Sequence, residues 1–212
     1  MRDEKVMNVL QLLDGHYPQD ICYLNYEKPY ELLLATILSA QCTDAQVNRV
    51  TEKLFEKYRT LKDFAEADIV EMEQDVRTTG FFRNKAKNII HTAQTLLLQH
   101  NGELPSDIEN LIKLPGVGRK TANLVRGHIF NIPSIVVDTH VGRVSRRLGF
   151  TKHTSPERVE YDLMEILPES SWIKYNTQVI AFGREICCAR APSCGSCFLK
   201  LECEAIKDAY AT

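Results

Sequence analysis

No stretch of the 212-residue chain approaches the eighteen or so uninterrupted apolar residues that a membrane span needs. The opening Met1-Arg2-Asp3-Glu4-Lys5 lacks the apolar core of a secretory signal, so the expected location is intracellular: cytoplasmic, and nucleoid-associated if the source is bacterial. A surplus of positive charge is missing as well. The formal net charge is −2, which gives no global attraction to nucleic acid, so any such binding must come from a local basic face. There is no serine–histidine–aspartate arrangement and no G-x-x-x-x-G-K-[ST] phosphate loop. Internal repeats, low-complexity segments and clear strands are also absent. What remains is a globular chain, 44% hydrophobic, large enough for one substantial core or two modest ones.

Helical periodicity fills it. Val6, Val9, Leu10 and Leu13 share one face, and Tyr30, Leu33, Leu34, Ile37 and Leu38 form a second amphipathic run. Similar runs cover residues 47–58, 67–76, 85–98, 108–111, 121–130, 156–167 and 172–182, with Thr154-Ser155-Pro156 as a helix start signal. The pattern predicts an all-α protein of about ten helices. Residues 134–137 are short and apolar, readable as a strand or as a buried extended linker.

Seven cysteines in a reducing compartment argue against a disulfide framework. Four of them, Cys187, Cys194, Cys197 and Cys203, follow C-x6-C-x2-C-x5-C near the C-terminus. Soft thiolates gathered so closely suit zinc or an iron–sulfur cluster. Zinc usually takes paired C-x2-C units, and only Cys194 and Cys197 form one. Cys188 competes with Cys187 for the first place.

Residues 111–122, Leu-Ile-Lys-Leu-Pro-Gly-Val-Gly-Arg-Lys-Thr-Ala, read as helix, tight turn, helix. Gly116 and Gly118 would let the turn present outward amides, to which the next helix adds the positive end of its dipole, making an anion site. Lys120 falls in the first turn of that helix, where the dipole and Arg119 both disfavour an ammonium ion, as an amine nucleophile requires. An exposed lysine or a phosphate contact is the plainer reading. Asp138, after Ile135-Val136-Val137, is placed to cap a helix running through Arg143 and Leu148, a role compatible with also facing a cleft. His140 has no partner in sequence and reads as a helix surface or core residue. Between residues 119 and 147 Arg119, Lys120, Arg126, Arg143, Arg146 and Arg147 are opposed only by Asp138, a local basic face.

Ser39-Ala40-Gln41, the L-P-G-V-G-R-K hairpin, Val137-Asp138-Thr139-His140 and the four-cysteine loop occur in that order over nearly the whole chain. In this the sequence resembles the helix-hairpin-helix DNA glycosylases, and within them the endonuclease III family. The resemblance implies two helical domains: a bundle over 23–132 that carries the hairpin, and a discontinuous domain, 1–22 with 133–212, that carries one 4Fe-4S cluster on Cys187, Cys194, Cys197 and Cys203. It implies a DNA groove between them with Lys120 and Asp138 at its mouth. DNA contacts would fall to Gly116, Val117, Gly118 and Arg119 of the hairpin, to His140 and Arg143, and to Gln41 and Phe81, which would fill the gap left by a flipped nucleotide. On residues alone Phe81 reads equally as core. Cys42 departs from the smaller residue usual beside Gln41.

The implied activity is base excision DNA repair by a monomer acting on double-stranded DNA with a damaged base or abasic site. Lys120 would attack the sugar C1′ of an oxidised pyrimidine nucleotide, Asp138 would assist, and the resulting Schiff base would allow β-elimination and strand cleavage. An adenine-type monofunctional glycosylase would lack the hairpin lysine. A non-catalytic DNA-binding module would keep hairpin and cluster without needing Lys120 and Asp138, and an electron carrier would leave the hairpin unexplained.

Overall fold

The computed structural model describes residues 2–18 and 22–206, the side chain of the second residue excepted. Of the domain expected over 1–22 and 133–212, residues 1, 19–21 and 207–212 lie outside the described residues. In chain order the helices are α1 (Arg2–His16), α2 (Pro29–Ser39), α3 (Asp44–Lys57), α4 (Leu61–Ala65), α5 (Ile69–Asp75), α6 (Phe82–Gln99), α7 (Ile108–Leu111), α8 (Arg119–Phe130), α9 (Thr139–Leu148), α10 (Pro156–Ile166) and α11 (Trp172–Glu185). Short 3-10 turns cover Arg77–Thr79, Glu169–Ser171 and Cys194–Ser196. The described residues contain no strand, so the chain is all-α and residues 134–137 are a buried extended linker. No described helix is long and apolar enough to cross a membrane. The periodicity missed α4, whose five residues are too few to show a face; its signal is the capping box in which Thr60 and Asp63 answer each other's amides.

The chain divides into two compact units, Cys22–Asn131 and Met1–Ile21 with Ile132–Thr212. In the first, α2 is buried from Glu31 to Leu38, the mark of a central helix. The buried Glu31 carboxylate in its first turn reaches back to the chain entering the helix, accepting from Glu27 N at 2.8 Å and from the N-cap Lys28 N at 3.0 Å. Helices α3, α6 and α8 pack against α2, and α6 also covers α4 and α5. The core joins Leu32, Leu33, Leu34, Phe64, Met72, Ile89 and Leu96.

In the second unit α11 lies against α9 and α1. Gly183 lets α9 approach closely, since a Cβ there would sit 2.9 Å from His140 Nδ1. Gly149 ends α9 at φ 76°, and a side chain at that position would collide with the Glu204 carboxylate, which Lys5 pairs at 2.8 Å. The extended linker runs on α11, where Asn176 Oδ1 accepts from Val136 N and Asn176 Nδ2 donates to Ser134 O, each at 3.0 Å. One buried amide thus replaces the strand neighbour that this segment lacks.

Candidate functional site

The hairpin is set by its turn. Val117 N donates to Leu114 O at 3.1 Å, and Gly116 sits at φ 76° with its α-carbon face against Asn88, so a Cβ would come within 2.5 Å of Asn88 Nδ2. Thr92 Oγ1 of α6 donates to Pro115 O at 2.9 Å and fixes the turn from behind. Gly118, expected to need glycine's freedom, caps α8 at φ −95° with open space around it; the turn requires only Gly116. Val117 is buried with its amide engaged, whereas the first-turn amides of α8 have no partners inside the helix and are the kind of donors an anion can use. Lys120 is exposed in that first turn.

Four exposed non-glycine residues of the same unit have left-handed backbone: Asn101 and Asn131, a residue type that tolerates it, and Gln41 at φ 53° and Phe81 at φ 48°, which do so less readily. Each such non-glycine residue costs about 1–2 kcal/mol, which the surroundings must offset. Phe81 is 64% exposed and is not a core residue. Sequence reasoning missed Lys85, which is buried and donates from Nζ to Leu38 O at 2.8 Å and Thr79 O at 2.7 Å. Burial pushes its ammonium below the ordinary lysine range, and Cys42 partly opposes this. The signal was there: Lys85 shares the buried face of α6 with Ile89, Thr92 and Leu96.

In the other unit Asp138 is the N-cap of α9, its Oδ1 accepting from Val141 N at 2.8 Å. The Asn176 bonds hold the linker that delivers it. Arg143 donates to Gly183 O at 2.9 Å and Cys187 O at 3.1 Å, and its Nη2 lies 3.1 Å from His140 Nδ1. Arg147 reaches Cys188 O at 2.8 Å, Ala189 O at 3.2 Å and Cys187 Sγ at 3.2 Å. These two arginines of the expected basic face are therefore spent largely on the start of the cysteine loop.

Cys187, Cys194, Cys197 and Cys203 all line one cavity of about 180 Å³, closed by Val144, Leu148, Phe182 and Leu199. Cys188 is not among its lining residues; its Sγ donates to Arg184 O at 3.2 Å. Among the described residues no three metal-binding side chains converge on a point fit for a single ion. Four cysteine thiols lining one space are a soft donor set of the kind that holds an iron–sulfur core. Burial, and behind it the neighbouring thiols of Cys187, Cys203 and Cys194, pushes the Cys197 thiol up. Four thiolates here need a cationic group among them. The donor set and the cavity fit an iron–sulfur cluster.

The HhH-GPD superfamily base excision DNA repair protein family matches residues 34–169. Endonuclease III of Synechocystis sp. (strain ATCC 27184 / PCC 6803 / Kazusa) is 46% identical over 203 residues, 95% of this chain and 93% of that protein. Endonuclease III of Escherichia coli (strain K12) is 41% identical over 204 residues, covering 96% and 97%. Among solved structures, a trapped endonuclease III–DNA covalent intermediate, an estranged-adenine complex, is similar with a TM-score of 0.92 at 46% identity, covering 98% of each chain. The chain belongs to the endonuclease III family of the HhH-GPD superfamily base excision DNA repair proteins.

Proposed function

We propose that the protein is a bifunctional DNA glycosylase and abasic-site lyase that removes oxidised pyrimidines from double-stranded DNA and then nicks the strand. The observation that carries this is Lys120, an exposed amine in the first turn of α8, directly after the hairpin. A similar endonuclease III was captured as a covalent intermediate with DNA, and covalent capture requires a nucleophile. Lys120 is the amine that the hairpin offers.

The hairpin amides bind a phosphate and fix the register of the duplex without reading sequence. Lys120 Nζ forms a bond to C1′ of the flipped nucleotide as the C1′–base bond breaks and the base leaves with its electron pair. Asp138 takes a proton from the attacking amine, and its carboxylate stabilises the positive charge that develops on the sugar. Ring opening gives the imine, which acidifies the C2′ hydrogen. Loss of that proton expels the 3′ phosphate, and hydrolysis of the imine frees Lys120. Gln41 pairs with the orphaned base and Phe81 wedges into the stack.

Cys187, Cys194, Cys197 and Cys203 would hold one 4Fe-4S cluster, whose metal–thiolate bonds supply an anchor for the loop. Arg143, bound to Gly183 O and Cys187 O, acts on DNA chiefly through the order of that loop, and His140 lies beside it on α9. The hairpin unit and the cysteine unit are thereby the two domains of the enzyme. The test is borohydride treatment of the protein with a duplex carrying an oxidised pyrimidine: an imine is reduced to a stable covalent link. Strand cleavage with no adduct would refute the lysine mechanism.

A further inference from the structure

We propose that Lys85 is a positioning residue that locks the Gln41 and Phe81 loops together as one two-pronged wedge. The proposal rests on the reading that these two residues fill the gap left by a flipped nucleotide. Helix α2 ends at Ser39, and the amide of Cys42 turns back to Ser39 O at 3.0 Å, so Leu38 O gets no bond from it. The 3-10 turn ends at Thr79, two residues before Phe81. Carbonyls at such ends need partners. Lys85 Nζ serves both, at 2.8 Å to Leu38 O and 2.7 Å to Thr79 O.

The placement follows from helix geometry. Side chains on a helix lean toward its N-terminus, so Lys85, whose own amide bonds to Phe81 O at 3.1 Å, reaches back beneath the turn that carries Phe81. Lys85 is only 4% exposed, and an ammonium on a residue so buried is costly unless its hydrogens are bonded. A methionine would fill the same space without that cost. What the amino group adds is a bridge between two carbonyls from distant parts of the chain. At the rim a second tie runs the same way, from Gln46 Nε2 to Thr78 Oγ1 at 2.9 Å.

What the bridge holds is strained. Gln41 and Phe81 are exposed non-glycine residues with φ of 53° and 48°, a conformation that persists only where surroundings fix it. Two loops tied through one buried group enter the duplex already ordered, whereas independent loops would each lose freedom on insertion. The geometry thus separates two demands: insertion needs both prongs in register, while attack by Lys120 on a sugar that is already accessible does not.

The experiment measures single-turnover cleavage on two substrates, an oxidised pyrimidine in a duplex and an abasic site in a single strand, where no gap needs filling. For Lys85→Met we expect the duplex rate to fall about tenfold, the scale of losing a charged hydrogen bond, with the single-strand rate falling less than about twofold. Gln41→Ala and Phe81→Ala should show the same selectivity, and combining either with Lys85→Met should add less than the sum of the separate effects. If the Gln41 and Phe81 variants leave the duplex rate unchanged, the wedge reading falls. If they lower it while Lys85→Met affects both substrates equally, or neither, the Lys85 proposal falls and the wedge reading stands. Should Lys85→Met not fold, Thr78→Val removes the rim tie without uncovering a buried charge; a selective duplex loss of about threefold supports the coupling, and no selectivity overturns it.

Discussion

The unit spanning 22–131 and the unit that ends in the cysteine loop hold themselves together differently. The first closes around α2, buried along its whole middle from Glu31 to Leu38, and the ends of its helices are met by caps such as Glu31, Thr60 and Asp68. In the second, between Cys187 and Ile206, only Cys197, Leu199 and Cys203 are buried, and two of these are thiols. The rest of that loop is tied by Arg143 and Arg147 to main-chain carbonyls, by stacking of Phe198 on His16, and by the Lys5–Glu204 pair. A stretch with so little apolar content does not order itself by burial. Chemistry placed on the hairpin unit should therefore survive damage to the loop, while DNA affinity should not.

The largest effect expected is that of Lys120→Gln. It should reduce strand cleavage by at least about a thousandfold while binding to abasic DNA persists, because the hairpin amides remain. Retained borohydride trapping in that variant would break the assignment. Next comes Asp138→Asn, for which base excision should fall about a hundredfold or more, and lyase activity on ready-made abasic sites by less. Asparagine caps a helix as well as aspartate, so the melting temperature should hold. Equal losses on both substrates together with a lowered melting temperature would make capping the main role.

For the cysteine unit, the purified protein should carry roughly four irons and absorb broadly near ~400 nm, as thiolate-bound iron–sulfur centres do. Cys197→Ser should lose iron, lower solubility and weaken DNA binding on the order of tenfold, since exposed Arg190 and Lys200 lose their fixed positions. Its folded fraction, saturated with DNA, should keep a single-turnover rate within about threefold of the parent. A well-folded, saturated variant that cannot cleave would show that the loop takes part in the reaction. The smallest effect is that of Gly116→Ala, which meets both φ 76° and Asn88; it should cost about 1–2 kcal/mol of stability and weaken DNA binding.

The hairpin, Asp138 as a cap and the four thiols were legible because each depends on local sequence: a rare turn motif, a carboxylate before a helix, a short cysteine spacing. The same locality explains the misses. That Lys85 bridges Leu38 and Thr79, and that Asn176 completes the linker, depends on which carbonyls lie nearby in the fold, although both residues stood out as polar groups on buried helix faces. That Arg143 and Arg147 also bond carbonyls at the start of the cysteine loop was out of reach, because sequence shows the sign of a side chain and not its partner. Phe81 was divided between core and surface until its exposure decided for surface.

The central claim is that the amine of Lys120 forms the covalent link to DNA. The most direct measurement is to reduce the reaction with borohydride, digest the protein and locate the DNA-modified residue by mass spectrometry. The account predicts a single modified site at Lys120, within the peptide that contains Arg119 and Thr121. A link at Lys113, Lys85 or another amine, with Lys120 unmodified, would contradict it.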